Sequence, residues 1–284
     1  MGYAFYAIAI MDIESNECYL RRINVKPIDL NGKTALVTGG AGQIGRGIVR
    51  ALAQCGANVV IAYLQNQGFA QGLKTEVEHN WGVAAYACQV DVTDFDSVKA
   101  MKADICAALG SVDILVNCAV IDYKWESIID QNIKDFDSQY RSCVMQAVYM
   151  AKTFVPDMIQ RRYGRIIAIN TECALQNFAY QGAYVAGKRG MDGIYRVLAK
   201  EVGPYGITVN QVAPGWTITD NCRNPDGTEA NIRQDFPYIE RVPLHRRGTE
   251  EDIANAVCFF ASDLAAFITG AFLPVTGGNV MVAI

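Results

Sequence analysis

Short apolar runs rich in β-branched residues alternate along the chain with stretches whose apolar residues recur at helical spacing. The short runs predict strands at residues 34–38, 58–62, 83–90, 113–117, 165–170 and 207–213. The helical spacing predicts helices at about residues 44–55, 69–79, 94–109, 132–162, 182–202 and 249–262. Because the strands are almost continuously apolar, we predict one α/β domain over residues 31–284, built on a doubly wound parallel sheet.

Two segments stand apart from this alternation. In residues 1–30, apolar residues alternate on both sides of a polar turn, and this pattern predicts a small N-terminal hairpin. No Lys or Arg precedes its apolar stretch, so we expect no export signal. Residues 216–241 contain proline, glycine and polar residues, which predict a loop with short helices over the substrate.

Charge and composition exclude several classes of protein. The 284 residues carry 25 basic and 29 acidic side chains, a net charge of −4, which argues against binding to nucleic acid. No apolar run reaches the roughly 20 residues of a membrane helix. The nine cysteines are scattered and accompany only two histidines, so we expect free thiols, no metal site and a cytoplasmic location.

The first predicted strand runs into a glycine-rich turn at residues 38–47, which leads directly into the first predicted helix. Glycines let the backbone approach a pyrophosphate, and a helix N-terminus offers N–H groups and a positive dipole end. The position of the turn, after a strand and before a helix, favours a dinucleotide site over a purely structural turn.

Tyr184 and Lys188 lie four residues apart at the start of a predicted helix, so their side chains share one face. An ammonium group beside a phenol favours the phenolate, and we expect it to lower the pKa of Tyr184. The pair would then exchange a proton with an alcohol or a carbonyl. Taken alone, the spacing also fits an ordinary pair on a helix surface.

Together these motifs resemble the short-chain dehydrogenase/reductase family over residues 31–281. The chain also resembles the family in further motifs, at residues 91–92, 113–119, 210–215 and 270–278. It implies a Rossmann-type domain and an NAD(P)-dependent oxidoreductase that interconverts a secondary alcohol and a ketone by hydride transfer.

The resemblance also implies roles for individual residues. Tyr184 is the catalytic acid/base, Lys188 bridges to the nicotinamide ribose, and Thr171 occupies the position of the family's catalytic serine. Cys143 stands where the family has an asparagine that holds a water linking the lysine to solvent. The implied cofactor contacts are Gly39, Gly42, Gln43, Ile44, Gly45, Arg46, Tyr63, Asp91, Val92, Asn117, Ala119, Lys188, Pro214, Gly215, Thr217 and Thr219.

Five positions depart from the family pattern, namely Gln43, Cys118, Val120, Cys143 and Thr171. Gln43 and Val120 replace glycines. Thr171 keeps a hydroxyl that can donate to a substrate oxygen, although a threonine at a strand end can also serve the backbone. Cys143 either holds the relay water less well than asparagine would, or is a packed core thiol.

The choice between NAD and NADP depends on the residue that ends the second strand. NAD sites place a carboxylate there for the ribose 2′-hydroxyl, whereas this chain has Tyr63 and no Asp or Glu from residue 30 to 75. Arg46 is the nearby cation for a 2′-phosphate, unless it faces solvent. We therefore predict NADP, with NAD as the alternative.

The substrate is expected to be a medium-sized small-molecule carbonyl or alcohol. Its pocket should draw on the loop at residues 216–241 and on the residues Tyr123, Trp125, Glu172, Gln176, Phe178 and Tyr180. Family members pair two helices across two-fold axes, which predicts a homotetramer here, unless the apolar residues concerned all belong to the core. Those residues are Met145, Val148, Tyr149, Val155, Met191, Ile194, Tyr195 and Leu198.

Two functions stay open at this point. Tyr184 and Lys188 favour the oxidoreductase. Gln43, Val120 and Cys143 favour a protein of the same fold whose redox activity has been lost or redirected, such as a ligand-binding or assembly protein or a non-redox acid/base enzyme.

Overall fold

The structure is a computed structural model that describes residues 27–219 and 237–281. Its strands are β1 (Thr34–Thr38), β2 (Asn58–Tyr63), β3 (Ala85–Gln89), β4 (Ile114–Asn117), β5 (Gly164–Ile169), β6 (Ile207–Pro214), β7 (Thr217–Ile218), β8 (Gly248–Thr249) and β9 (Phe272–Val275). Seven of them form one sheet in the order β3-β2-β1-β4-β5-β6-β9, and every neighbouring pair is parallel. β7 and β8 pair with each other.

Helices cover both faces of this sheet. They are α1 (Gln43–Gln54), α2 (Gln67–Trp81), α3 (Phe95–Leu109), α4 (Ile133–Gln139), α5 (Gln146–Arg161), α6 (Gly182–Val202) and α7 (Glu250–Ala261). Val59 and Ile61 of β2 pack in the core beneath α1, α2 and α7, whereas Val60 and Ala62 pack in the core beneath α3, α5 and α6. Successive strand residues therefore face opposite layers, which explains the continuous apolar runs.

The prediction of a doubly wound parallel α/β sheet is confirmed, although the structure adds three short strands, β7, β8 and β9, and divides one predicted helix. β9 was not predicted, because its four residues contain a proline and only their pairing with β6 identifies them as a strand. The helix predicted at residues 132–162 is divided into α4, a π-helical turn at Tyr140–Met145, and α5. The turn lies where Gly187 of α6 comes close: a Cβ there would be 2.8 Å from the carbonyl oxygen of Gln139.

Parts of two further predictions lie outside the described residues. These are residues 1–26 of the predicted N-terminal hairpin and residues 220–236 of the predicted substrate loop. Within the described ranges, none of the helices combines the length and the apolar character that a membrane span requires.

The apolar residues assigned to subunit contacts fall into two groups. Val155, Met191 and Tyr195 are buried in the core, so the prediction that they supply additional surface is wrong for these three. The others are half-buried along α5, α6 and the π-helical turn, namely Met145, Val148, Tyr149, Ile194 and Leu198.

The order of the strands determines where a ligand can bind. From β1 the chain proceeds outward to β2 and β3, whereas from β4 it proceeds in the opposite direction to β5 and β6. The connections that leave β1 and β4 therefore diverge and open a crevice at the carboxyl ends of these strands. Residues 38–47 and 117–123 lie at this crevice.

Candidate active site

The glycine turn after β1 is shaped by close backbone contacts. Gly39 has a positive φ of 65°, and a Cβ on it would be 2.9 Å from the Cα of Ala119. A Cβ on Gly45 would be only 2.1 Å from the carbonyl oxygen of Gly39. Within the described residues, no side chain caps the start of α1, so its first N–H groups remain available to an anion. The turn is thus a suitable cradle for a pyrophosphate.

A cleft of about 1230 Å³ extends from this turn across the carboxyl edge of the sheet. It exceeds the roughly 300–1,000 Å³ of common small-molecule pockets, which suits a dinucleotide together with a substrate. The cleft brings together most of the residues assigned from the sequence: Gly39, Gly42, Gln43, Ile44, Gly45, Arg46, Tyr63, Asp91, Val92, Ala119, Thr171, Tyr184, Lys188, Pro214, Gly215, Thr217 and Thr219.

Two assigned residues, Asn117 and Cys143, do not line the cleft. Asn117 is buried, and its side-chain amide donates to the hydroxyl of Tyr195 at 2.6 Å, so it ties β4 to α6. Cys143 is buried in the core within the π-helical turn. Its sulfur would be 3.3 Å from a Cβ placed on Gly187. Both residues support the site from beneath.

The wall between β1 and β4 is held by one buried hydroxyl. Thr38 Oγ1 accepts hydrogen bonds from the backbone amides of Cys118 and Ala119 at 3.0 and 3.2 Å. The same hydroxyl donates to Gln146 Oε1 at 2.8 Å. Gln146 Nε2 in turn donates to the Ala119 carbonyl at 2.9 Å. Nothing in the sequence indicates this role for Gln146, because it depends on the docking of α5 against the ends of two strands.

The end of the cleft near β2 and β3 is polar and partly exposed. The Asp91 carboxylate accepts from the amide and the hydroxyl of Thr93 at 2.8 and 2.7 Å, so it also orders its own turn. The Arg46 guanidinium is half-buried and lies 4.7 Å from the centre of the Phe69 ring. Arg46 therefore faces the cleft mouth, next to the exposed residues that follow Tyr63.

The acid/base candidates meet at the carboxyl end of β5. Lys188 is buried, and its Nζ donates to the Ile169 carbonyl at 2.7 Å while lying 5.7 Å from the centre of the Tyr184 ring. Thr171 Oγ1 accepts from the Cys173 amide at 3.2 Å, and Thr171 lines the cleft together with Tyr184. Thr171 thus accepts a hydrogen bond from the backbone and also lines the cleft. The two interpretations of this residue are therefore compatible.

The expected decrease in the pKa of Tyr184 is not found. Burial raises this pKa above its ordinary value, and the nearby Thr171 side chain offsets only part of that rise. The Lys188 ammonium group is engaged by a backbone carbonyl rather than by the phenol oxygen. Tyr184 is therefore a protonated hydroxyl at neutral pH, suited to donating a proton.

Aromatic rings extend from Tyr184 toward solvent. The Tyr123 ring stacks on the Tyr184 ring with centroids 4.4 Å apart and planes inclined by 8°. Trp125 follows, 6.5 Å from Tyr123. Of the residues predicted to contact the substrate, Tyr123, Trp125, Glu172 and Phe178 line the cleft, whereas Gln176 and Tyr180 do not. Sequence reasoning missed Ser142 and Gln181, which also line it.

The far wall joins the end of β6 to residues 237–281. The Gly215 amide donates to the Val275 carbonyl at 3.0 Å, and the Trp216 amide donates to the Tyr238 hydroxyl at 2.9 Å. A Cβ on Gly215 would be 2.7 Å from that hydroxyl. The segment that follows β6 is thus packed closely against the residues that end the predicted substrate loop.

Comparison with known proteins identifies the family. A family model described as enoyl-(acyl carrier protein) reductase matches residues 39–279. The 3-oxoacyl-[acyl-carrier-protein] reductase FabG of Escherichia coli is 37% identical over 266 residues, which cover 90% of this chain and 100% of that protein. The chain belongs to the short-chain dehydrogenase/reductase family. It is accordingly an NAD(P)-dependent oxidoreductase.

Other family members agree with this assignment. FabG of Staphylococcus aureus is 35% identical over 259 residues, covering 88% of this chain and 98% of that protein. A 7α-hydroxysteroid dehydrogenase, solved with NADH and 7-oxo glycochenodeoxycholic acid, superposes with a TM-score of 0.80 at 30% identity, covering 90% of this chain and 97% of that chain. An NAD⁺-bound xylitol dehydrogenase gives 0.79 at 25% identity, with 88% and 99% covered.

The structure accommodates the departures from the short-chain dehydrogenase/reductase pattern. Gln43 is the first residue of α1, and its side chain accepts a hydrogen bond from the Thr219 hydroxyl. Val120 has no positive φ, so its backbone does not require glycine. Burial raises the pKa of the Cys118 thiol to about 11, which keeps it protonated. None of these three residues obstructs the glycine turn.

Proposed function

We propose that the chain interconverts a secondary alcohol and a ketone, with Tyr184 as the acid/base. The observation that carries this proposal is the position of Tyr184. Tyr184 lies with Thr171 and Lys188 at the carboxyl edge of the sheet, in the same cleft as the glycine turn. The cradle formed at Gly39 and Gly45 fits a dinucleotide, and a bound nicotinamide supplies or accepts the hydride.

Tyr184, Thr171 and Lys188 divide the remaining tasks in this proposal. During reduction the Tyr184 hydroxyl gives its proton to the substrate oxygen as that oxygen gains charge, and the Thr171 hydroxyl donates a hydrogen bond to the same oxygen. During oxidation the proton returns from the alcohol to Tyr184. Lys188 keeps a positive charge 5.7 Å from the ring and thereby stabilises the phenolate that each reduction leaves behind.

NADP is the proposed form of the cofactor. The residues at the end of β2 that line the cleft are Tyr63, Leu64, Gln65 and Asn66, none of which carries the carboxylate that a ribose 2′-hydroxyl requires. Arg46 lies at this end of the cleft and supplies a positive charge for a 2′-phosphate. NAD, which two similar structures contain, is the competing assignment.

A homotetramer and a cytoplasmic location are also proposed. The half-buried residues along α5 and α6, among them Tyr149, Ile194 and Leu198, support the first. Sedimentation at micromolar concentration tests the homotetramer, and a monomer would refute it.

The scattered cysteines support the cytoplasmic location, since seven of them lie in the described residues and carry free thiols. The proposed substrate is a small-molecule carbonyl or alcohol, and no nucleic acid is expected to bind.

Titration with NADH and NADPH, followed by nucleotide fluorescence, tests the proposed function. We expect binding of both forms, tighter for NADPH. Failure of both to bind would favour the alternative of a lapsed or redirected activity. At present Gln43 and Val120 lend that alternative no support, because the fold accommodates both without closing the cleft.

A further inference from the structure

We infer that the substrate is a small polyhydroxylated molecule, recognised by buried hydrogen-bond acceptors beside Tyr184. The inference rests on the proposed function and specifies the substrate class of the same site. It depends on three features of the cleft: a buried carboxylate, a buried amide oxygen without a partner among the described residues, and an aromatic wall formed by Tyr123 and Trp125.

The carboxylate belongs to Glu172, which directly follows Thr171 and lines the cleft while being only 3% exposed. Its Oε1 accepts from the Tyr238 hydroxyl at 3.0 Å, and its Oε2 accepts from Asn279 Nδ2 at 2.8 Å. Both donors are neutral, and within the described residues no cation pairs with Glu172. A carboxylate offers about four acceptor positions, so this buried charge can accept further hydrogen bonds.

The amide oxygen belongs to Gln181, three residues before Tyr184. Gln181 is 2% exposed and lines the cleft, and among the described residues its Oε1 has no hydrogen-bond partner. The buried Ser142 hydroxyl, which also lines the cleft, is in the same condition. A buried acceptor without a donor is costly, and a ligand that brings donors removes that cost. This observation is independent of Glu172 and points to the same chemistry.

The aromatic wall fits the carbon skeleton of such a molecule. Tyr123 stacks on the Tyr184 ring at an inclination of 8°, and Trp125 follows Tyr123 at 10°. Trp125, at the outer end of this series, remains 64% exposed. The electron-rich face of an aromatic ring attracts C–H groups, which a polyol presents between its hydroxyls. An exposed aromatic ring and buried acceptors in one cleft thus match a molecule with both C–H and O–H groups.

A long acyl chain fits this site poorly. It brings no donors, so it would leave the acceptors of Glu172 and Gln181 buried and unsatisfied, and a site built to bind hydroxyls rejects analogues that lack them. The Glu172 charge also repels an anionic group placed beside it. The substrate named for the similar FabG proteins, a 3-oxoacyl group on acyl carrier protein, is therefore not the one that this cleft favours.

A series of four-carbon ketones tests the inference on the purified full chain. The ketones are 2-butanone, 1-hydroxy-2-butanone and 1,3,4-trihydroxy-2-butanone, with ethyl acetoacetate as the acyl analogue. For each we would measure kcat/KM with the preferred nicotinamide cofactor. Dividing each value by the rate of reduction by borohydride removes the intrinsic activation caused by a neighbouring hydroxyl.

We expect the corrected kcat/KM to rise with each added hydroxyl and to be lowest for 2-butanone and ethyl acetoacetate. Glu172→Gln should reduce the ratio of the trihydroxy ketone to 2-butanone by roughly 10- to 100-fold, since it removes the charge from the acceptor. Glu201→Gln makes the same change at an exposed position of α6 and should leave the ratio unchanged.

Faster corrected reduction of 2-butanone or ethyl acetoacetate than of the hydroxylated ketones would overturn the inference and leave the proposed function intact. The inference would also be overturned if Glu172→Gln left the ratio of kcat/KM for the trihydroxy ketone to that for 2-butanone unchanged. If Glu172→Gln does not fold, the wild-type series decides alone. If the protein reduces none of the ketones and binds neither NADH nor NADPH, the proposed function and the inference are both overturned.

Discussion

The two ends of the cleft are constructed by different means. At the glycine turn, the backbone itself sets the shape, because Gly39 approaches Ala119 and Gly45 approaches Gly39 so closely that a side chain does not fit. At the end near Tyr184, side chains from distant parts of the chain meet, as Glu172 does with Tyr238 and Asn279. One end is determined by where side chains are excluded, and the other by which side chains are present.

This difference predicts which part of the site can change while the fold stays the same. A backbone cradle binds the phosphates that all dinucleotides have, and any added Cβ damages it. A network of side-chain hydrogen bonds can be replaced by another network on the same backbone, so substrate preference can change while the fold stays the same. The following predictions test whether the two ends act independently.

The largest effect is expected for Tyr184→Phe. The ring still stacks on Tyr123, but no proton can be transferred, so kcat should fall by about 10²- to 10⁴-fold. Cofactor affinity, measured by fluorescence titration, should stay within about twofold, since the cradle is untouched. A variant that keeps most of its turnover would show that Tyr184 is not the acid/base.

Gly45→Ala should damage the opposite end. Its Cβ would be 2.1 Å from the Gly39 carbonyl oxygen, so the turn must shift, at a cost of about 1–3 kcal/mol in the free energy of unfolding. Affinity for NADH and NADPH should weaken together. Gly72→Ala in α2 is the matched control, because a Cβ there has no heavy atom within 4 Å. If Gly45→Ala and Gly72→Ala had the same free energy of unfolding and the same cofactor affinities, close contacts would not be what shapes the turn.

Arg46→Ala should separate the two cofactors. Loss of a charge-assisted hydrogen bond to a 2′-phosphate should raise the Kd for NADPH by roughly 10- to 100-fold and leave NADH almost unaffected. Arg50→Ala, one turn further along α1, removes a cation that pairs with Glu76 at 2.7 Å. It should change both Kd values equally. Equal weakening by Arg46→Ala would refute the role of Arg46 in selectivity.

Cys143→Asn distinguishes the two interpretations of this residue. Because Cys143 is buried and lies close to Gly187, we expect the larger amide to lower the melting temperature and to change kcat by less than about twofold. The relay interpretation expects kcat to rise by roughly 2–13-fold with KM unchanged. Measuring kcat and the melting temperature on one preparation decides between them.

The smallest effect is expected when tyrosine ionisation is compared between the wild type and Tyr184→Phe without cofactor. Burial raises the pKa of Tyr184, so its hydroxyl keeps its proton up to at least the ordinary tyrosine value near pH 10. The two proteins should therefore show the same tyrosinate absorbance throughout that range. One tyrosinate fewer in the variant at pH 8 would mean that the Lys188 charge outweighs burial.

The sequence alone predicted six of the seven strands of the main sheet and the glycine turn at one end of the cleft. Strand and helix periodicities are local, and so is a glycine turn placed between a strand and a helix, which is why residues 38–47, Tyr184 and Lys188 could be assigned in advance. The resemblance to the short-chain dehydrogenase/reductase family added the positions whose meaning depends on family spacing, such as Thr171.

Only the tertiary structure decided the remaining features. The side chain of Asn117 faces Tyr195 rather than the cleft, and the pKa of Tyr184 rises because burial outweighs a lysine that is already engaged elsewhere. Glu172, Tyr238 and Asn279 have no common signal in the sequence. Their contact depends on how β5, β6 and the C-terminal segment fold together, and burial, charge pairing and hydrogen bonding between distant segments exist only after that folding.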